Sequence, residues 1–222
     1  MNDNISAFIS NEYDNKIKQT LPYYDDFYKQ IIELVKIFNN SAVRWLDVGC
    51  GTGKMGSIAF GNIALEKFVF CDSSDEMIKI VKERFNFQNA EFSVCDAQEL
   101  AYTNEFDVIT AIQVNHYLNK SSRKIALTKY YAALKNNGLF VSFENFAPFT
   151  DLGKSIYLEK WKRYQMEQGK SLEESNKHIE RYGKEYFPIS LSENMELMKN
   201  CGFKIVEILW LSNMQVGLWG IK

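Results

Sequence analysis

The feature that most constrains this chain is the stretch 43–54, VRWLDVGCGTGK, in which an apolar run leads directly into three glycines. The apolar run predicts a short buried strand, and the glycines predict a tight turn that ends it. Glycines at alternate positions let a ligand approach the backbone where a Cβ would stand in the way. A helix that begins after the turn directs its first N–H groups towards that ligand. The stretch therefore predicts the strand, turn and helix of a nucleotide-type cofactor site.

The glycine spacing separates this turn from two other nucleotide-binding motifs. The dinucleotide fingerprint G-x-G-x-x-G requires its third glycine where this chain has Lys54. The phosphate-binding loop motif requires Gly-Lys-Ser or Gly-Lys-Thr at the end of the turn, and neither occurs here. An acid, Asp47, precedes the first glycine by two residues. The resulting form D-x-G-x-G-x-G, at 47–53, resembles motif I of the class I S-adenosylmethionine (SAM)-dependent methyltransferases.

Length and composition place this motif in an ordinary globular chain. The 222 residues suit one domain with a sizeable core and one elaboration. The net charge of −2 argues against a nucleic-acid partner, because such proteins usually carry a basic field. The four cysteines lie far apart and form no C-x-x-C pair, which argues against a metal site and favours a reducing, cytoplasmic setting. The sequence predicts neither a signal peptide nor a membrane-spanning segment.

Short apolar runs recur after the glycine turn, with helical patterns between them. Predicted strands occupy 68–71, 92–95, 106–112 and 139–143, and the first two of these end at Asp72 and Asp96. The helices between them are predicted to begin at Ser73-Ser74-Asp75-Glu76, a capping box, and at Ser121-Ser122. The second of these is predicted to end at Asn136-Asn137-Gly138. This alternation predicts a parallel, doubly wound sheet with right-handed crossovers.

The pattern changes at both ends of this core, 43–144. Residues 1–40 predict an N-terminal helical arm, and 146–189 predict two inserted helices that form a lid. A capping box at Ser190 and Glu193 begins a further helix, and a hairpin with its turn at Ser212-Asn213 closes the chain at 190–222. The resemblance implies one methyltransferase domain. Its fold is a seven-stranded, mostly parallel sheet with an antiparallel last strand.

In such sheets, ligands bind outside the carboxyl ends of the strands, where Asp72 and Asp96 fall. A carboxylate at Asp72 can accept both ribose hydroxyls of either NAD or SAM, or it can cap a helix instead. The resemblance implies that Asp96 meets the adenine amino group and that Asp47 meets the methionine amino group of SAM. Met77 packs under the adenine or belongs to the core. The full predicted cofactor set is Asp47, Gly49, Cys50, Gly51, Gly53, Asp72, Ser73, Met77, Asp96, Ala97 and Gln113.

The substrate side is predicted from the segment after the fourth strand, where the family brings donor and acceptor together. His116 is a candidate general base, and the alternative is a loop histidine that shapes the pocket. His178, in the polar insertion, is predicted to be solvated. The sequence predicts no metal ligands. The predicted substrate pocket consists of Tyr13, Tyr24, His116, Tyr117, Glu144 and Asn145.

The reaction that the resemblance implies is methyl transfer from SAM to a small-molecule acceptor, with SAM converted to S-adenosylhomocysteine (SAH). Displacement at a sulfonium relies on alignment and proximity, so no strong acid or base is required. The motifs expected for methylation of a nucleic-acid base are absent: no Asn/Asp-Pro-Pro-aromatic run follows the fourth strand, and no Pro-Cys pair occurs.

Three alternatives stay open at this point. A carboxy-SAM synthase of the tRNA wobble-uridine pathway has the same fold, but it needs a cation near the transferred carboxylate, and the sequence does not show which residue that is. A nicotinamide oxidoreductase is disfavoured by Lys54 and Asp96. A non-catalytic SAM-binding partner would show the same motifs. The sequence leaves the oligomeric state undetermined.

Overall fold

A central sheet organises the computed structural model, which describes the backbone of residues 13–222 and the side chains from Lys16 onward. Among these residues, seven strands form one sheet in the order β3-β2-β1-β4-β5-β7-β6. β1 to β5 run parallel, and β7 is antiparallel to both β5 and β6. The predicted fold class is therefore confirmed. The strands are β1 (Val43–Val48), β2 (Leu65–Asp72), β3 (Ala90–Val94), β4 (Phe106–Ile112), β5 (Leu134–Asn145), β6 (Ile205–Ser212) and β7 (Gln215–Ile221).

Helices cover both faces of this sheet. Successive strand residues point to opposite faces, so Trp45 packs into one apolar layer with α2, α3 and α4, and Leu46 packs into the other with α5 and α8. The helices are α1 (Tyr13–Thr20), α2 (Tyr24–Phe38), α3 (Lys54–Asn62), α4 (Asp75–Arg84), α5 (Lys120–Ala133), α6 (Asp151–Glu167), α7 (Leu172–Ile179) and α8 (Leu191–Asn200). None of them is long and apolar enough, within the described range, to cross a bilayer.

The strand order fixes where a ligand can bind. β1 lies between β2 and β4. The chain first adds β2 and β3 on one side of β1 and then places all later strands on the other side. A crevice forms at this reversal, outside the carboxyl ends of the strands. The glycine turn follows β1 directly, and Asp72 is the last residue of β2. Both features therefore lie at the crevice.

Two predicted helix starts are displaced by one to three residues. Ser74, and not Ser73, caps α4 by accepting a hydrogen bond from the Met77 N–H. Asn119, and not Ser121 or Ser122, caps α5 through the Ser122 N–H. In each case a neighbouring polar side chain provides the same kind of acceptor, so composition alone does not identify the cap. The capping box that begins α8 is confirmed.

The predicted role of Asn136-Asn137-Gly138 as a helix end is wrong. α5 ends at Ala133, and β5 begins at once with Leu134, which pairs with Phe106. The next regular pair on this side is Leu139 with Val108, so 135–138 form an irregular bulge inside the strand. Asn137 has a positive φ of 61°, and a Cβ on Gly138 would lie 2.8 Å from the Lys135 carbonyl oxygen. These residues therefore bend a strand.

The predicted insertion contains α6 and α7, which follow β5 and precede α8. Their action as a lid stays a prediction. The closing hairpin is confirmed: Ser212 pairs with Gln215 across the turn, and β6 is joined to the rest of the sheet only through β7 among the described strands.

Candidate active site

One cavity lies at the crevice and extends from the glycine turn to the insertion. Its space, with the open mouth included, is about 1040 Å³. Most of the predicted cofactor residues and three of the predicted substrate residues form its wall. These are Gly49, Gly51, Asp72, Ser73, Met77, Asp96, Ala97, Gln113, His116, Tyr117 and Asn145.

The glycine turn is held open by its backbone and by Asp72. Gly49 has φ 65°, and a Cβ there would lie 2.3 Å from Val114 Cγ2. Gly51 has φ 52° and no atom within 4 Å of its Cβ position, so the cavity reaches its backbone. The Asp72 carboxylate accepts the Gly51 N–H at 2.9 Å and the Ser74 N–H at 3.0 Å. Asp72 therefore joins the turn to the start of α4 and also faces the cavity.

Asp96 and Met77 lie on the wall beside Asp72. The Asp96 Oδ1 atom accepts hydrogen bonds from the backbone and the side-chain nitrogen of Gln98, at 2.8 and 3.1 Å. Met77 is buried. Together, the carboxylates of Asp72 and Asp96 and the thioether of Met77 can hold the predicted adenosyl group.

Asp47 and Cys50 lie behind this wall. The Asp47 carboxylate is buried and accepts the Thr110 hydroxyl at 2.7 Å, and that hydroxyl accepts the Trp45 indole N–H at 2.9 Å. Burial raises the pKa of Asp47 to about 7, and the Thr110 hydrogen bond opposes the shift. These bonds give Asp47 a structural role, because they join β1 to β4 below the turn. Direct contact of Asp47, Cys50 or Gly53 with the cofactor stays a prediction.

Gln113 directly follows β4 and has a positive φ of 58°, which is uncommon for a residue with a side chain. Its side-chain amide donates to the Phe143 carbonyl at 3.2 Å and to Gln215 Oε1 at 2.8 Å. The Gln215 amide in turn donates to Asn145 Oδ1. These bonds stabilise a strained backbone on the cavity wall, which is a common feature of functional sites.

The short 3₁₀ turn Asn115–Tyr117 brings His116 against Glu144. The His116 ring lines the cavity, and its Nδ1 lies 2.9 Å from Glu144 Oε2. Both side chains are buried. Glu144 was predicted to line the substrate pocket, and it instead lies behind His116 as its hydrogen-bond partner.

The insertion adds four side chains that are outside the predicted substrate pocket set. Trp161, His178, Arg181 and Tyr186 line the cavity. Arg181 Nε donates to Glu185 Oε2 at 2.6 Å, and its guanidinium lies 6.0 Å from the Tyr117 ring centroid and 5.6 Å from that of Tyr186. No motif marks Arg181. The one signal was its position among the tyrosines of a charged segment.

The prediction that His178 is solvated is wrong. Burial, together with the charges of Lys170 and Arg181, lowers its pKa to about 3, so this imidazole is neutral at physiological pH. Its ring lies 5.0 Å from that of Trp161. The insertion therefore contributes one cation, Arg181, to the cavity wall.

The N-terminal helix contacts the insertion across the mouth of the cavity. Ile17, Thr20 and Leu21 line the cavity. The Trp161 indole N–H donates to the Thr20 carbonyl at 2.6 Å, and the Tyr164 hydroxyl donates to the Lys18 carbonyl at 3.0 Å. These residues were not predicted because they lie in a polar segment with no periodic pattern.

Besides Glu144, two predicted substrate residues remain: Tyr24, which lies elsewhere, and Tyr13. Tyr13 begins α1, and its side chain lies outside the described part of the chain. Tyr24 lies instead in a separate cleft behind the glycine turn, with its hydroxyl 2.7 Å from that of Tyr28. The cleft is basic. Its wall is Lys18, Tyr24, Thr52, Gly53, Lys54, Ser57, Arg84 and Phe85.

Comparison with known proteins agrees with this geometry. A methyltransferase domain family matches residues 46–138. The carboxy-S-adenosyl-L-methionine synthase of Campylobacter hominis is 24% identical over 210 residues, which cover 91% of this chain and 87% of that protein.

Solved structures show the same fold at low sequence identity. A chain of the Haloferax volcanii complex between the Trm112 methyltransferase activator and a methyltransferase gives a TM-score of 0.72 at 13% identity, over 100% of this chain and 98% of that chain. A SAM-dependent methyltransferase of Thermotoga maritima gives 0.62 at 21% identity, over 96% and 95%. With the glycine turn, the acids at the ends of β2 and β3 and the domain match in place, residues 46–138 form a methyltransferase domain, and the chain is an enzyme with the class I, Rossmann-like methyltransferase fold that uses SAM as cofactor.

Proposed function

We propose that this enzyme converts SAM into carboxy-SAM, in which the methyl group of the sulfonium carries a carboxylate. Proteins named carboxy-SAM synthases resemble the chain over nearly its whole length, with the insertion included. Their identity to it, 23–25% for three of them, is too low to transfer a substrate by itself. The proposal therefore depends on a residue of this chain that suits the reaction.

That residue is Arg181. A reaction that places a carboxylate on the methyl carbon of SAM needs a cation in the SAM cavity. A guanidinium matches a carboxylate with two parallel hydrogen bonds. Arg181 lines the same cavity as the glycine turn, and its side chain is only 11% exposed. Glu185 holds its Nε, and the rings of Tyr117 and Tyr186 flank its guanidinium plane. This arrangement is the observation that carries the proposal.

The overall chemistry defines the second substrate. A carbon–carbon bond forms between the SAM methyl carbon and a carboxyl carbon, and one methyl hydrogen leaves as a proton. The carboxyl group comes from a small carboxylic acid that decarboxylates readily. The bond between the carboxyl group and the rest of that acid breaks, and the carbon that carried the carboxyl group gains a proton. Such an acid is also the small-molecule partner that we propose for this cavity.

Methyl transfer to a small acceptor is the second candidate. The observation that favours it is the His116–Glu144 pair on the cavity wall, because an acceptor hydroxyl or amine must lose a proton when it is methylated. The two reactions leave different products. Carboxy-SAM formation keeps the sulfonium, whereas methyl transfer converts SAM to SAH.

Mass spectrometry of the reaction products tests the proposal. The purified protein is incubated with SAM and a panel of carboxylic acids that lose carbon dioxide readily. We expect a SAM derivative in which one hydrogen is replaced by a carboxyl group, with the carboxyl carbon traced from a labelled acid. Accumulation of SAH with a methylated acceptor, and no such derivative, would overturn the proposal in favour of methyl transfer.

Arg181→Gln and Arg181→Lys test the role of the guanidinium. We expect Arg181→Gln to lower carboxy-SAM formation about 100-fold, because the loss of one partner of a buried charge pair costs about 3 kcal/mol. Arg181→Lys keeps the charge but loses the planar fork, so its effect is intermediate. Arg163→Gln is the matched control, because Arg163 makes the same kind of i,i+4 bond to Glu159 on an exposed face of α6. SAH titration of each variant shows whether the cofactor site is intact.

A further inference from the structure

Glu144 lies at the end of β5 and accepts four hydrogen bonds from two adjacent residues. Its Oε1 accepts from the Asn115 backbone N–H at 3.2 Å and from Asn115 Nδ2 at 2.9 Å. Its Oε2 accepts from the His116 backbone N–H at 3.0 Å and lies 2.9 Å from His116 Nδ1. All three side chains are buried. The carboxylate therefore fixes the position of the 3₁₀ turn and of the imidazole.

The donors around Glu144 determine the tautomer of His116. The two backbone N–H groups can only donate, and the Asn115 amide is oriented by its oxygen, which accepts the Tyr130 hydroxyl at 3.1 Å. A carboxylate surrounded by donors is an acceptor at every bond, so the bond to His116 Nδ1 requires a proton on Nδ1. In the neutral ring, Nε2 then carries a lone pair. His116 lines the cavity, so Nε2 is the ring nitrogen left for a bound substrate.

A second layer of bonds holds the turn rigid. The buried Arg123 side chain donates from Nε to the Asn115 carbonyl at 3.0 Å, and from Nη2 to the Leu118 and Phe187 carbonyls at 3.3 and 2.6 Å. The Phe187 N–H donates to the His116 carbonyl at 2.6 Å. This network fixes the position of the imidazole in advance, which an efficient proton acceptor requires.

We propose that His116 is a catalytic base of this enzyme and that Glu144 is its positioning residue, an inference that rests on the proposed function. The C–H bond of the SAM methyl group breaks, its electron pair forms the bond to the carboxyl carbon, and the proton moves to His116 Nε2. Glu144 stabilises the resulting imidazolium through Nδ1. His116 then returns the proton to the carbon of the donor acid that lost its carboxyl group. Atoms and charge balance without a further reactant.

The tautomer can be measured without turnover, because the chain contains only two histidines. Protein labelled with ¹⁵N-histidine is saturated with SAH, and His178→Asn identifies which signals belong to His116. We expect His116 to carry its proton on Nδ1, with Nε2 unprotonated. Glu144→Gln should abolish this preference, because an amide can donate as well as accept. A His116 protonated on Nε2 in the SAH complex would overturn the proposal.

The rate of carboxy-SAM formation by variants is the second test. We expect His116→Gln to lower carboxy-SAM formation about 100-fold, within the usual range for loss of a general base. Glu144→Gln should lower it about tenfold, as loss of an orienting partner commonly does. The SAH affinity of both variants should stay at the wild-type value, because neither side chain is placed at the adenosyl end. Wild-type turnover in His116→Gln would show that the pair only shapes the turn.

Failure of the proposed function gives a different result from failure of the dyad. If the wild type makes no carboxy-SAM, the proposed reaction is wrong, and the tautomer measurement still decides the dyad: protonated Nδ1 supports a base and protonated Nε2 excludes one. If the wild type makes carboxy-SAM and His116→Gln does so equally well, the reaction is right and the dyad is wrong.

Discussion

The two sides of the cavity are built in different ways. The cofactor half, residues 43–97, consists of consecutive strand ends, and the bond that joins Asp72 to Gly51 spans only 21 residues. The substrate half, residues 16–21 and 146–189, depends on contacts such as the bond from Trp161 to Thr20, which spans 141 residues. The cofactor half is therefore built from segments that are close in the chain, whereas the proposed substrate half forms only when distant segments pack together.

The two halves also differ in how well they are packed. Trp45 and Phe68 of the cofactor half are completely buried between sheet and helices. In the substrate half, Gln165 Nε2 and Ser175 Oγ are buried without a hydrogen-bond partner among the described residues. Buried polar groups without a partner reduce local stability. We therefore expect the substrate half to open before the cofactor half does.

The largest expected effect concerns Asp47, in the centre of the cofactor half. Its pKa is about 7 in the fold and 3.8 as an unperturbed group, so the folded protein binds the extra proton between these values. The contribution of Asp47 to the free energy of unfolding should therefore fall as the pH rises from about 4 to about 7, by about 4 kcal/mol at most, and then level off. Asp47→Asn should remove this fall. Urea unfolding of both proteins across this pH range measures it, and parallel curves would contradict the assignment.

Asp72→Ala tests whether one acid supports the whole cofactor half. The change removes the acceptor of the Gly51 and Ser74 N–H groups and the predicted partner of the ribose. We expect SAH affinity to fall about 100-fold, because hydrogen bonds to a charged group contribute about 1.5–3 kcal/mol each. Calorimetric titration with SAH measures this loss. Asp75→Ala is the control, since Asp75 is an exposed neighbour paired with Lys79. An equal loss of SAH affinity in this variant would contradict the role assigned to Asp72.

Two glycine substitutions separate folding from binding within the turn. Gly49→Ala places a methyl group 2.3 Å from Val114, so we expect a loss of stability of about 1–3 kcal/mol. Gly51→Ala meets no neighbour, so its strain should cost only about 1 kcal/mol, while its methyl group narrows the cavity and weakens SAH binding. Unfolding and titration of both variants measure the contrast. Equal stability losses would show that crowding at Gly49 is relieved by Val114.

The smallest effect should come from the substrate half. Trp161→Phe removes the bond to the Thr20 carbonyl and keeps an aromatic ring, so we expect a stability loss of about 1 kcal/mol. Amide hydrogen exchange should speed up in α1 and remain unchanged in β1, which serves as the internal control. Equal acceleration in both segments would mean that the two halves open together, which would contradict the expectation that the substrate half opens first.

Much of the cofactor half was predictable from the sequence. The strand at 43–48, the glycine turn and the acids after β2 and β3 were predicted and lie at the crevice. The errors were local ambiguities: the caps of α4 and α5 each had two candidate residues, and Asn136-Asn137-Gly138 bends a strand although the same residues commonly end a helix. A positive φ at Asn137 suits both structures, so the residue type does not distinguish them.

The sequence by itself determined the alternation of strands and helices, the glycine turn and the acids of the cofactor side, because periodicity and backbone conformation are set by neighbours in the chain. Only the tertiary structure decided that Arg181 lies in the cavity, that Glu144 pairs with His116 and that α1 closes against α6. The physical reason is distance along the chain. Hydrogen bonds and cavity walls between residues separated by 28 to 141 positions depend on how layers pack, and no local pattern records that packing.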